Sequence, residues 1–202
     1  MLIETLFNDP IFFFRVVILL ILSITLHELA HGLVAISLGD DTPKKRGHIT
    51  LNPLVHISWQ SFVLLCIAGL SWGKTPVNPS RFRFLKIGTI LVFAAGPALN
   101  LTLGILSVCL IKLMASSNQE GIFSTNFLYI AAHLNVRLFL FNLLPIPPLD
   151  GFYVFSEFFP KLKPLEKTQF GLFALVILFS IPAFLEGLAA IAAFIIQIIT
   201  SI

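Results

Sequence analysis

From Ile11 to about Leu38 the chain is almost continuous hydrocarbon. As a helix this stretch runs about 42 Å at 1.5 Å per residue, enough to cross a bilayer with tilt. Further apolar runs follow at Ile87–Met114, at Phe123–Leu144 and from Phe170 to Ile202. Such runs dictate the solvent. Inside lipid every backbone N–H and C=O must find its partner within the protein, and a helix satisfies that within a single segment. Only 11% of the residues are charged and 57% are hydrophobic, whereas a soluble domain carries about 25% charged residues. An ordinary soluble enzyme, a disordered chain and a disulfide scaffold are all excluded. The expected class is an all-α polytopic membrane protein, with residues 1–202 as one membrane domain. The net charge of +3 is no signal for nucleic acid, because the basic residues lie between apolar runs, where a membrane accounts for them. Cys66 and Cys109 sit in apolar stretches and read as small buried hydrophobes.

A secretory signal would open with basic residues. This chain has Glu4 and Asp9 there, so the first run is expected to stay as a membrane helix. A polar loop from Gly39 to Gln60 follows, then an apolar piece from Ser61 to Trp72. About twelve residues are too few to span, which predicts a re-entrant or interfacial segment flanked by Trp59 and Trp72 as aromatic anchors. If this piece does not cross, ten of the thirteen Lys and Arg residues lie on one side, in the loops containing Lys44–Arg46, Lys74–Lys86 and Lys161–Lys167. The positive-inside rule makes that side the cytoplasm. The last apolar region is interrupted by Pro182, Glu186 and Gly187 and reads as two short spans or one kinked span.

The first run contains His27-Glu28-Leu29-Ala30-His31. At i and i+4, two imidazoles project from one helical face and can share a metal ion, with Glu28 beside them to act on a water. Ionisable groups in a membrane span are costly and point to function by default. A catalytic zinc typically takes three protein ligands and keeps one position open. Candidates for the third are His48, His56, His133 and Asp150. Asp150 lies in a run with Pro145, Pro147 and Pro148 before it and Gly151 after it, so the backbone there is broken and open to close approach. Taken alone, Asp150 reads more simply as a helix N-cap. Depth favours the ligand role. His31 and His27 lie about 10 and 16 Å from the cytoplasmic end of their helix. With Ser61–Trp72 not crossing, Asp150 falls toward the same face. One topology thus satisfies both the charge rule and the metal site.

Five motifs occur in order: H-E-L-A-H (27–31), L-N-P-L-V-H-I (51–57), G-K-T-P-V-N-P (73–79), A-A-G-P-A-L-N (94–100) and N-L-L-P-I-P-P-L-D-G (142–151). In these the chain resembles the site-2 protease family of intramembrane zinc metallopeptidases, in its small bacterial branch without a PDZ or CBS domain. The resemblance implies a three-helix catalytic core over about 11–160, C-terminal membrane helices over about 168–202, and a small re-entrant/β element after the first helix. It implies one Zn2+ per chain on His27, His31 and Asp150, with Glu28 as general base. It also implies cleavage of a transmembrane substrate within or next to its membrane segment, from an active site toward the cytoplasmic side of the bacterial inner membrane. Ser58 stands where the family often has aspartate, a departure that touches only the loop.

Other positions are read from chemistry. The Asn142 amide is a candidate donor to substrate or to the developing oxyanion, with an interhelical structural bond as the equal alternative. Gly96, Asn100 and Gly104 form a small-residue face for helix packing, with Asn100 as polar glue. Pro97 is expected to kink its helix. The alternation Gly47-His-Ile-Thr-Leu51 suggests an edge strand able to pair with an unwound substrate. His56 is expected to have no catalytic role, and His133 and Arg137 to face a polar cavity. The competing reading is a zinc-binding membrane transporter or a non-catalytic scaffold. The absence of an internal repeat, and the presence of Glu28, weigh against it.

Overall fold

The computed structural model describes residues 2–69, 73–114 and 124–201. Trp72 and the polar turn expected over 115–121 lie outside them. The described residues are helical, with no strand among them. A short helix α1 (Leu2–Asn8) leads into α2 (Pro10–Ser37). Asp9 caps α2, its carboxylate accepting the Phe12 N–H at 3.0 Å, and Pro10 opens the first turn, where a missing N–H costs nothing. Gly39, at φ +105°, turns the chain out of α2.

Three small helices follow: α3 (Thr42–Lys45), α4 (Pro53–His56) and α5 (Trp59–Ala68). The small re-entrant/β element expected here is not supported. Residues 47–51 form turn and bend because Gly47 takes φ +73° and Asn52 caps α4 immediately afterwards, accepting the Leu54 N–H at 3.1 Å. An isolated antiparallel bridge pairs Ile57 with Gly73. The apolar piece that follows is α5, about 15 Å long and so too short to span. Its Leu65 packs with Ile57 against Phe13, Val17, Leu20 and Ile24 of α2. Cys66 packs at the edge of that cluster, whereas Cys109 faces outward rather than inward.

The centre of the fold is α6 (Leu85–Met114), which packs against α2 on one side and α7 (Thr125–Asn142) on the other. Its buried face is Gly88, Val92, Gly96, Asn100, Gly104 and Val108, spaced four residues apart as the 3.6-residue period requires. A Cβ added at Gly104 would stand 2.8 Å from Val136 Cγ2 of α7, so hydrogen there is what lets the two helices meet. After α7 the chain turns through Pro145–Leu149, with a cis Pro147–Pro148 bond, into α8 (Asp150–Phe158). A Cβ at Gly151 would collide with the carbonyls of Leu143 and Leu144, so only glycine allows α8 to start against the end of α7. The C-terminal region is two helices, α9 (Phe170–Ser180) and α10 (Pro182–Ser201), broken at Ile181–Pro182. Ala192 and Ile196 of α10 pack on Val108, Ala132 and Val136.

By length and composition, α2, α6 and α10 can cross a membrane. The expected third span, α7, has 18 residues but carries Asn126, His133, Asn135, Arg137 and Asn142, which lower its apolarity. Beside its apolar clusters the interior holds polar groups, and the surface carries many exposed apolar side chains. Ser23, Asn100, Ser107 and Asn135 are buried, while Phe14, Ile18 and Leu22 of α2 stand 55%, 50% and 53% exposed. In water such a surface would be penalised by about 25 cal/mol per Å². In lipid it is not, and these residues therefore define an integral membrane protein. Gly104→Ala should separate α6 from α7 and destabilise the fold by about 1–3 kcal/mol, as overpacking does. The check is the melting temperature in detergent beside that of Ala98→Gly on the same helix; an unchanged value would show that Val136 simply rotates away.

Candidate metal centre

Two helices and one turn bring His27, His31 and Asp150 together. The i, i+4 spacing in α2 places the imidazole Nε2 atoms 3.0 Å apart. The turn after α7 delivers Asp150, whose Oδ2 lies 2.9 Å from His27 Nε2 and whose Oδ1 lies 3.4 Å from His31 Nε2. One ligand atom from each of the three falls within 4.8 Å of the other two. All three residues are buried.

The tautomers follow from the acceptors. His31 Nδ1 meets the Val92 carbonyl at 2.6 Å, and a carbonyl only accepts, so this nitrogen carries the proton. For His27 the argument starts one helix away. The Ala131 carbonyl takes a hydrogen bond from Asn135 Nδ2 at 3.0 Å, which leaves Asn135 Oδ1 to accept from Asn100 Nδ2, also at 3.0 Å. Asn100 Oδ1 therefore faces His27 Nδ1, at 2.6 Å, and accepts its N–H. Both Nε2 atoms are then bare lone pairs directed at each other and at a carboxylate. Asp150 Oδ2 is buried and has no hydrogen-bond donor. Three acceptors around one point repel unless a cation sits between them.

A divalent metal fits this donor set. Tetrahedral bonds of about 2.0–2.1 Å separate neighbouring ligand atoms by about 3.3 Å, close to the spacings here, and two imidazoles with one carboxylate are ligands zinc accepts.

Glycines shape the walls. A Cβ on Gly96 would overlap His27 and His31, and one on Gly73 would overlap the carboxylate of Glu28. Gly73 is held by its bridge to Ile57, and Thr75 Oγ1 donates to the Glu28 carbonyl at 3.0 Å. Glu28 is buried at this wall. On the far side Phe93 leans on the His31 ring, at 6.0 Å between centroids, and stacks on Tyr153 at 4.2 Å. Burial, helped by the Glu166 carboxylate that accepts its O–H, pushes Tyr153 up to about 12.

The other candidates stand apart from this group. His56 is buried and donates from Nε2 to the Thr50 carbonyl at 2.9 Å, with its ring edge-on to His48 at 5.6 Å. Burial, and then His56, hold His48 below its ordinary value. His133 packs on Tyr129. Asn142 ends α7 and donates to the Leu138 carbonyl at 3.0 Å. Trp59 is 72% exposed. Sequence reasoning missed Asn135, the Val92 carbonyl and the wall formed by Gly73, and it saw in Asn100 and Gly96 only helix packing. The G-P-x-x-N spacing was the available signal: Gly96 and Asn100 both lie on the α6 face that meets the histidines.

Fold and centre together are those of an integral membrane protein with a candidate metal site. A profile of peptidase family M50 matches residues 107–182. YwhC of Bacillus subtilis (strain 168), described by name as a zinc metalloprotease, is 41% identical over 175 residues, covering 82% of this chain and 80% of that protein. Two mycobacterial proteins named Rip2, also described as zinc metalloproteases, are more distant. The one from Mycolicibacterium smegmatis is 28% identical, and the one from Mycobacterium tuberculosis (strain ATCC 25618 / H37Rv) is 27% identical; the alignments cover about four fifths of this chain and 65% of each relative. No solved structure matches the chain significantly. The chain belongs to peptidase family M50, the site-2 protease family.

Asn100→Ala should free the His27 ring and weaken zinc binding about 10–100-fold, as loss of a group that orients a metal-binding histidine does. Competition with a chelator measures it, and affinity equal to wild type would reduce Asn100 to a packing residue.

Proposed function

We propose that the chain hydrolyses a peptide bond within or next to a transmembrane segment of a membrane-protein substrate, as a zinc metalloendopeptidase with one Zn2+ on His27, His31 and Asp150. The observation that carries this reading is the group of three buried ligand atoms, one an orphaned carboxylate oxygen, with Glu28 adjacent in the chain to the first of them. The names of the bacterial relatives support it. Zinc bound there would supply Lewis acidity to a substrate carbonyl and acidify a water.

The protein's residues do the rest. Asn100 and the Val92 carbonyl hold the imidazoles in the ligand tautomer. The Glu28 carboxylate accepts a proton from the attacking water as its oxygen bonds to the carbonyl carbon. It then returns the proton to the amide nitrogen as the C–N bond breaks, leaving a carboxylate and an amine. The absence of a Cβ at Gly73 leaves the space this carboxylate occupies. In the same reading Asn142 is a donor to substrate or oxyanion, moving off Leu138 when substrate binds. A substrate helix has its backbone bonds paired and must unwind locally before attack.

Residues 11–160 are the proposed catalytic core and 168–202 its C-terminal membrane region. The distribution of Lys and Arg supports an active site toward the cytoplasmic side of the bacterial inner membrane.

Glu28→Gln should retain zinc and lose cleavage of a reporter transmembrane peptide by at least about 100-fold; cleavage at the wild-type rate would remove the general-base role. Asp150→Asn replaces a charged ligand with a weak neutral one and should lower zinc content measured by atomic absorption. Full metal occupancy in that variant would return Asp150 to a capping role.

A further inference from the structure

Away from the metal centre, a groove of about 520 Å³ runs between the first half of α2, α7 and the C-terminal helices. Its apolar walls include Val16 and Leu20 of α2, Leu134 and Leu138 of α7, and Leu188 of α10. Tyr129, His133 and Arg137 enter it from α7, four residues apart and so stacked along one face. The groove is therefore mainly hydrocarbon with a ladder of donor groups down one wall. Among the described residues no acidic residue lines it, and Arg137, which is exposed, forms no ion pair. A guanidinium on a membrane helix is costly unless an anion meets it.

We propose that this groove holds an anionic phospholipid, its phosphate on Arg137 and His133 and an acyl chain along the apolar walls. Arg137 lies five residues from the end of α7, about 7.5 Å in depth, so its long side chain reaches toward headgroup level. Phosphate oxygens suit the planar guanidinium fork. The acyl chain gains little, because bulk lipid is equally apolar, so the phosphate contact provides the preference. A substrate segment is the other apolar occupant with a stray anion. The lining argues against it: none of His27, Glu28, His31, Asp150 or Gly73 touches the groove, so a peptide seated there would not meet the cleavage machinery. The inference does not depend on the proteolytic reading.

The test is native mass spectrometry of the full chain purified in detergent and titrated with phosphatidylglycerol or phosphatidylcholine. Wild type should retain phosphatidylglycerol in preference to phosphatidylcholine. Arg137→Gln should retain about tenfold less, the scale of one charge-assisted hydrogen bond, and Arg137→Lys should recover part of the loss. Zinc content reports whether each variant is folded. Should Arg137→Gln fail that control, Leu134→Trp fills the groove without touching the charge and should also release the lipid. Equal retention by wild type and the folded variants overturns the proposal. So does a photocrosslinker at position 138 that captures a reporter transmembrane peptide instead of lipid.

Discussion

Two imidazoles whose Nδ1–H groups are already committed to fixed acceptors are the constraint on which this protein rests. The Val92 carbonyl accepts one Nδ1–H, and Asn100 Oδ1, oriented through Asn135, accepts the other. Neither acceptor lies on the histidines' own helix. α6 must pack against α2 at a set rotation, and α7 must pack against α6, before the Nε2 lone pairs point to one place. The small residues on α6 follow from that requirement. Gly96 leaves room for the rings and Gly104 lets α7 come close enough for Asn135 to reach Asn100. Packing and metal chemistry are here one problem, because a shift of one helix would break both.

The same arrangement explains how a polar centre is tolerated in an apolar fold. Buried polar groups cost free energy in proportion to the hydrogen bonds they fail to make. Here the network runs from the Ala131 carbonyl through two asparagines to His27 with each donor matched to an acceptor. At the centre itself Asp150 Oδ2 is left without a donor beside the two Nε2 atoms, where a cation belongs. Outward, the helices expose leucine, isoleucine and phenylalanine to a solvent that does not penalise them.

Much of the site was legible because it is local. The i, i+4 spacing of His27 and His31 is a property of any α-helix, and the apolar runs predict helices without knowledge of their neighbours. The G-P-x-x-N run was legible as a packing face, but its second role was not, since nothing near Asn100 in the chain says which imidazole it meets. The strand expected over Gly47–Leu51 failed because five alternating residues are a weak signal beside Gly47 in a left-handed conformation and Asn52 capping the next turn. α7 falls short of an apolar span for a related reason: its polar residues divide between Asn135, which serves the interior, and His133 and Arg137, which enter the groove.

By itself the sequence determined the class of solvent, the helical content, the pair of imidazoles and the glutamate between them, all consequences of composition and short-range periodicity. The sequence pointed to Asp150, more than a hundred residues further on, as a partner of that pair, but only the tertiary structure sets its oxygens 2.9 and 3.4 Å from the two Nε2 atoms. It also decided which nitrogen of each ring faces it and which glycines stand at the wall. Those are relations between helices, and the distance between two helix faces is set by packing, which no one segment encodes.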